Sequence, residues 1–348
     1  MFINRIRNSI LLVPFFCIYL HELNKIVSNK QLETQKIGLG TAAIGRPQYI
    51  NIRSQKTEVF SLPAFKAKGI QVLESAYKQG IRYFDTAPGY GLAEQLLIDW
   101  VQTKNDPKIE VATKWGYAYV ANFDPNALVH EVKDHSLEML VKQWEVSKNL
   151  LPNLTTIQIH SATFETGVLE NEAVLQKLAL LKSTYGIKIG VTTTGPNQVE
   201  VLKKAIEVMV DSRPLFEVFQ ITYNMLDQSL LEVLDVVQTR GKRIVIKEAL
   251  ANGRVFPNTK YHAYKNLYTC LEQLAHKYNV GIDAVALQFC IQTINPFMVL
   301  SGASQTNQIK ENLKANDFHL LAEDVAQLKS FKIDAIEYWS ERKQLGWN

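Results

Sequence analysis

The stretch RYFDTAPGYG, residues 82–91, places an acid, Asp85, and a phenol, Tyr90, in a turn that follows an apolar run. Two more polar groups end runs that are otherwise apolar: Lys114 in IEVATKW and His160 in TTIQIHS. Together the four suit proton transfer to or from an oxygen. A free phenol ionises near pH 10 and handles protons poorly at neutrality, and a neighbouring ammonium favours the phenolate and lowers that value. Lys114 supplies such a charge, Asp85 the counter-ion that a buried lysine requires, and His160 a hydrogen-bonding group for a substrate oxygen beside the Tyr90 hydroxyl. Singly, each has an ordinary structural use: Asp85 can cap a turn, Lys114 can reach to solvent, His160 can sit satisfied in a core. Their recurrence at the ends of successive apolar runs favours chemistry.

The elements that must position them follow an alternation of short β-branched runs and longer amphipathic ones from about residue 35 onward. Strands are expected over 36–42, 81–87, 109–115, 155–161, 188–194, 216–224, 242–249 and 297–303. Helical patterns, with apolar residues three and four apart, lie between them. Gly80, Gly186 and Gly241 stand where helices stop before the next strand. Eight βα units closing on themselves make an α/β fold of the (β/α)8 TIM-barrel type, with an open doubly wound sheet as the alternative. The region after residue 320 adds an extra C-terminal helix. On a barrel, catalytic groups sit at the C-terminal ends of the strands, which is where the four residues fall.

Composition narrows the class further. The chain has 348 residues, 47% apolar and 21% charged, a globular balance compatible with one large barrel over residues 31–348. The 38 basic and 34 acidic residues are dispersed, which argues against a nucleic-acid partner. Three cysteines, Cys17, Cys270 and Cys290, form neither a disulfide framework nor a metal-ligand cluster, so no metal is expected. Cys270 and Cys290 read as core residues. Residues 1–30 read as an N-terminal extension outside the domain. Arg5 and Arg7 precede an apolar run from Ile10 to Leu20 that resembles a secretory signal or an anchor, yet it is too short to span a bilayer and lacks a small-residue cleavage site.

From roughly residue 35 to 320 the sequence resembles the aldo-keto reductase superfamily. FDTAPGYGLAE is similar to its Asp-Thr-Ala-x-x-Tyr-Gly-x-x-Glu signature, VATKW to its lysine strand, IQIHS to its histidine strand, and SGASQTNQIKEN to its late cofactor segment. The look of GLGTA and FDTAPGYG is similar to the branch that includes aldose dehydrogenases. The resemblance implies a catalytic tetrad of Asp85, Tyr90, Lys114 and His160, with Tyr90 as general acid in reduction and base in oxidation. It also implies a nicotinamide cofactor across the barrel mouth. Thr192 and Gln220 would bind the carboxamide and Gly302, Ser304, Gln308 and Asn312 the adenosine end, with Gly40, Thr41, Lys247 and Leu250 as further cofactor-binding residues. Lys247 falls where the family carries an aromatic that stacks on the nicotinamide, with Glu248 as the alternative occupant. No Lys or Arg follows Gly302 until Lys310, so the cation that selects the 2′-phosphate of NADP is missing from that segment. NADP leads on the family's habit, with NAD as the alternative.

The substrate pocket is expected to come from the loops after the first, third and fourth strands and from the C-terminal tail, drawing on Ala42, Ala43, Arg46 and Tyr49 after the first and on Trp115, Tyr117 and Tyr119 after the third. Small residues beside aromatic faces suit a sugar or other bulky carbonyl compound. The leading function is therefore an NAD(P)-dependent oxidoreductase interconverting an aldehyde, ketone or aldose/lactone with its alcohol partner. The location that recycles its cofactor is the cytoplasm. An alternative is a catalytically weak nucleotide-binding auxiliary or redox-sensing subunit, motivated by Lys247. A lyase or isomerase using Lys114 as a Schiff-base nucleophile is a third, which would leave the late cofactor segment without a purpose.

Overall fold

A computed structural model describes residues 35–48, 52, 60–124 and 126–347. The proposed extension 1–30, Cys17 and Tyr49 lie outside the described residues. Residues 36–348 form one compact unit built on a closed, fully parallel barrel of eight strands. The strands are β1 (Ile37–Gly40), β2 (Tyr83–Asp85), β3 (Glu110–Trp115), β4 (Leu154–Ala162), β5 (Lys188–Thr193), β6 (Phe216–Thr222), β7 (Arg243–Lys247) and β8 (Met298–Ser301). Seven lie inside a range the sequence marks as a strand and β4 extends one residue beyond its range at each end; each pairs with the next, with β1 closing on β8.

Side chains alternate inward and outward along each strand, so the interior is filled in layers. Glu110 of β3 and Arg243 of β7 bond at 3.2 Å at one end. Above them Tyr83, Ala112, Val218 and Val245 form an apolar layer with Phe297, Met298 and Leu300. Two residues further along each strand the same inward face carries Asp85, Lys114, Gln220 and Lys247. The register Asp85↔Ala112 and Lys114↔Gln158 makes Asp85 and Lys114 diagonal neighbours, within reach of a long side chain. The chain thus changes from apolar to polar in one step at the C-terminal mouth.

The outer ring consists of α1 (Leu62–Lys78), α2 (Ala93–Val101), α3 (Leu137–Ser147), α4 (Glu172–Tyr185), α5 (Gln198–Glu207), α6 (Leu234–Thr239), α7 (Lys265–Tyr278), α8 (Ile282–Ile294) and α9 (Thr306–Leu313). The Ser136 and Asn171 side chains accept from Met139 N and Val174 N, capping α3 and α4. Gly80, Gly186 and Gly241 have φ of 93°, 66° and 63°, the left-handed stops read from the sequence. Cys270 and Cys290 are buried in the core. Among the described residues no helix is long and apolar enough to cross a membrane, and no group of three or more His, Cys, Asp or Glu is placed to hold a metal ion.

Two features depart from the sequence expectation. The region after residue 320 forms two helices, α10 (Ala322–Lys329) and α11 (Ala335–Lys343), where one was expected. Asp334 separates them by capping α11, its carboxylate accepting from Ile336 N and Glu337 N. A hairpin of Tyr117–Tyr119 and Glu131–Lys133 also rises after β3. Its strands are three residues each, too short for an alternation of side chains to register in the sequence.

Candidate active site

Asp85 is the hub of the mouth. Its carboxylate accepts from Lys114 Nζ, from Gln220 Nε2 at 2.7 Å and from Gln158 Nε2 at 3.3 Å, and it is 2% exposed. The Lys114 ammonium, 1% exposed, also donates to Thr86 O at 3.1 Å. A buried ion pair of this kind is tolerated because added hydrogen bonds satisfy both charges. Gln158 itself needs Gly190 on the neighbouring strand, since a Cβ there would come within 2.9 Å of Gln158 Cγ and 2.8 Å of Val218 O. Gln158 is a member of the site that sequence reading missed. Its only signal is parity, two residues before His160 on the inward face.

Tyr90 reaches the same place from a 3-10 turn, Pro88–Tyr90, directly after β2. Its hydroxyl lies 3.4 Å from His160 Nε2, and Lys114 Nζ lies 4.9 Å from its ring centroid. His160 is delivered by an irregularity in β4, where Ser161 has φ of 55° and the register slips before Ala162. Bulges of this type re-aim side chains beside active sites. The Ser161 amide, freed from the ladder, donates to Thr192 Oγ1 at 2.6 Å, and His160 O lies 3.0 Å from His135 Nε2.

The electrostatics correct one expectation. Lys114 does not bring the Tyr90 phenol down: burial, reinforced by Asp85, holds it well above the ordinary value of 10. The physical reason is that the lysine's charge is matched by Asp85 at direct contact. Burial, with Lys114 and Arg46 adding to it, holds His160 well below 6.5, so its imidazole is neutral. The site therefore presents a protonated phenol beside an uncharged ring, a proton donor with a hydrogen-bonding neighbour.

A cavity of about 780 Å³ starts from these groups and takes in most of the residues read from the sequence. Gly40, Arg46, Asp85, Tyr90, His160, Thr192, Gln220, Lys247, Leu250, Gly302, Ser304, Gln308 and Asn312 all line it. Three described residues do not: Thr41, Trp115 and Lys114, the last reaching the site through the lining carboxylate of Asp85 to which it donates. Thr41 is buried, its hydroxyl and amide each donating to Asp85 O at 2.9 Å, so it pins β1 to β2 outside the cavity lining. Trp115 is 1% exposed with its ring 5.5 Å from that of His135, because it follows Lys114 and points outward into the helix layer. Tyr117 lines the cavity and Tyr119 does not; the Tyr117 ring stands 4.7 Å from the His160 ring. Arg46 lines the cavity but is held by Glu131 at 2.7 Å and Gly89 O at 3.0 Å, with its guanidinium 5.4 Å from the Tyr90 ring centroid. It buttresses Tyr90.

Both candidates for the residue after β7 reach the wall. Lys247 Nζ donates to Thr222 Oγ1 at 2.9 Å, and burial lowers its ammonium to about 8. Glu248, with φ of 56°, turns to Arg342 of α11, which donates to it from Nε and Nη2 at 2.7–3.2 Å. Arg342, from the C-terminal tail that the sequence points to, and the hairpin's Glu131 are contributors the sequence did not single out, since each reaches the mouth from a distant element. So is Lys68. α1 packs against α9, and Lys68 of α1 lines the cavity that Ser304 and Gln308 also line.

The family profile described as Aldo/keto reductase family matches residues 36–333. The chain belongs to that family. It is similar to the L-galactose dehydrogenase of Arabidopsis thaliana, 25% identical over 302 residues that cover 84% of this chain and 87% of the relative. It is similar too to the pyridoxal 4-dehydrogenase of Microbacterium luteolum, at 24% identity over 81% of this chain and 89% of that one. The glycerol dehydrogenase structure from Gluconobacter oxydans superimposes with a TM-score of 0.66 at 21% identity, over 85% of this chain and 90% of its own. This aldo/keto reductase is thus an oxidoreductase, and interconversion of carbonyl compounds and alcohols is consistent with its membership.

The glutamate of the aldo/keto reductase signature, Glu94, lies outside the cavity. It opens α2 and is 3% exposed, accepting from Thr113 Oγ1 and, at 2.9 Å, from Ser147 Oγ, so it fastens α2 and α3 to β3. Burial pushes its carboxyl up to about 7. The folded state therefore favours the protonated acid, and that contribution is complete below the unfolded value near 4.5 and lost as pH rises through 7. Glu94→Gln removes this dependence. Urea unfolding at pH 5, 7 and 8 is expected to show the variant losing the slope and gaining about 3 kcal/mol over wild type at pH 8. Parallel pH curves for the two proteins would refute this.

Proposed function

We infer that this chain is an NAD(P)-dependent reductase or dehydrogenase of a small carbonyl or sugar compound, with Tyr90 transferring the proton. The observation that carries the reading is the convergence of Tyr90, His160, Lys114 and Asp85 on one end of a cavity long enough to extend to Gln308 and Asn312. A nicotinamide dinucleotide fits the donor set and the shape. Gly302 lines the cavity, and a Cβ built on it would meet no atom within 4 Å, so that wall is open. The wall also offers amide side chains at Gln220, Gln308 and Asn312. Thr192 and Gln220 would hold the carboxamide end, and Ser304, Gln308 and Asn312 the adenosine end. The cofactor supplies or accepts the hydride.

In reduction the Tyr90 hydroxyl gives its proton to the carbonyl oxygen, and in oxidation the phenolate takes it from the alcohol. Lys114 then offsets the negative charge that appears on Tyr90 Oη, while Asp85 keeps that ammonium in place between turnovers. His160, neutral, holds the substrate oxygen in line with the phenol. Lys68 gives a cation near the adenosine end that the late segment lacks, which supports NADP ahead of NAD. A carbonyl or sugar substrate is supported by Tyr117 on the cavity wall and by the dehydrogenase names among the relatives. The place that recycles such a cofactor is the cytoplasm.

The test is a steady-state screen of the full chain with NADPH and NADH against aldehydes, ketones and aldoses, and with NADP+ and NAD+ against the corresponding alcohols and aldoses. Cofactor-dependent turnover of at least one member is expected, faster with the phosphorylated nucleotide. Absence of turnover together with absence of nucleotide binding would overturn the reading.

A further inference from the structure

Lys247 is the last inward residue of β7, half-buried on the cavity wall. Among the described residues its one hydrogen bond goes to an uncharged partner, the Thr222 hydroxyl at 2.9 Å, and its Nζ stands 5.7 Å from the Trp339 ring centroid. The charges that bear on it come from several elements. On its own strand end, Glu248 is taken by Arg342 of α11 through a two-pronged contact. After β6, Asp227 accepts from Gln198, Ser229 and Trp339. On β3, Lys114 is matched by Asp85, and on β4 the Lys247 charge is one of those that keep His160 neutral. Among the described residues none of these carboxylates forms an ion pair with the Lys247 ammonium, although Glu248 and Asp227 still act on it at longer range, so its charge stands on the cavity wall.

We propose that Lys247 makes the site discriminate the redox state of the nicotinamide, favouring the neutral reduced ring and disfavouring the cationic oxidised one. This rests on the cofactor reading above, in which the ring lies by the wall that bears Thr192, Gln220 and Lys247. A neutral, electron-rich dihydronicotinamide presents a π system to an ammonium, an attractive arrangement. The oxidised ring carries a positive charge, and two like charges at a partly desolvated wall repel. The ammonium escapes the repulsion only by giving up its proton. Because burial already holds Lys247 at about 8, that release costs roughly tenfold in affinity at pH 7 and little above pH 8. Binding of the oxidised nucleotide is therefore coupled to release of up to one proton that binding of the reduced nucleotide does not require. An aromatic residue at this position would carry no such coupling.

The experiment titrates the full chain with NADPH, NADP+, NADH and NAD+ separately between pH 6 and 9, by tryptophan fluorescence and by calorimetry in buffers of different ionisation enthalpy. Comparing the two redox forms of one nucleotide cancels protons exchanged by its phosphates. Wild type is expected to gain affinity for the oxidised form, relative to the reduced one, by up to tenfold per pH unit below about pH 8 and to level off above it. Lys247→Met should raise the relative affinity for the oxidised form about tenfold at pH 7 and abolish both the pH dependence and the excess proton release. Should that variant fail to fold, the wild-type proton count decides alone. Equal proton release for both forms, or an unchanged ratio in Lys247→Met, overturns the inference and leaves the cofactor reading standing. Binding of none of the four nucleotides overturns the cofactor reading itself.

Discussion

Tyr90→Phe is expected to lower turnover by about 10²–10⁴-fold, the range a positioned proton donor contributes, while nucleotide affinity and thermal stability change little. The variant removes one oxygen and keeps the ring that packs between Arg46 and Lys114, so only proton delivery is lost. The hydroxyl stands 3.4 Å from His160 Nε2 at the end of the cavity, with no other phenol in hydrogen bond to that histidine among the described residues. Burial holds Tyr90 well above 10 and His160 well below 6.5, so both keep one protonation state from pH 7 to 9. Reduction should accordingly show no limb attributable to histidine in that window. Steady-state kinetics on the screen's best substrate, with a nucleotide titration alongside, make the check. Turnover within threefold of wild type would remove Tyr90 from the chemistry.

Lys114→Met is expected to destabilise the fold by about 3–5 kcal/mol and to remove activity. The loss of stability comes from what is left behind. Asp85 is 2% exposed and would keep a buried negative charge supported only by the two glutamine amides. Adding Asp85→Asn removes that charge and should recover most of the stability without recovering activity. Chemical denaturation of the two single variants and the double variant, treated as a cycle, measures the coupling. Additive effects of the two substitutions would mean that the pair carries no mutual stabilisation, and the account of Asp85 as the counter-ion of Lys114 would fail.

Much of this protein was legible before any coordinates. The eight strands announce themselves because each is a β-branched run bounded by helix stops, and Gly80, Gly186 and Gly241 do adopt left-handed φ. The polar ends of β2, β3 and β4 are legible for the same reason: an acid, an amine or an imidazole contrasts sharply with an apolar strand. The hairpin after β3 and the second C-terminal helix were not legible, being short elements whose stability comes from what they pack on. Trp115 was misread because adjacent strand residues face opposite sides. Taking Lys114 as inward turns its neighbour into the helix layer, a consequence of parity that composition around the residue does not display.

The sequence by itself determined which residue types sit at which strand ends, hence the barrel, its polar mouth and the four groups able to handle a proton, because periodicity and local contrast are properties of the chain read in order. Only the tertiary structure decided how those groups are tuned. Burial overrides the ammonium and keeps Tyr90 protonated, Gln158 and Gln220 join Lys114 on Asp85, Arg342 bonds Glu248 beside Lys247, and Lys68 arrives from α1 at a wall built mainly from the end of the chain. Each of these depends on desolvation or on a contact between residues far apart in sequence, and neither is encoded in spacing.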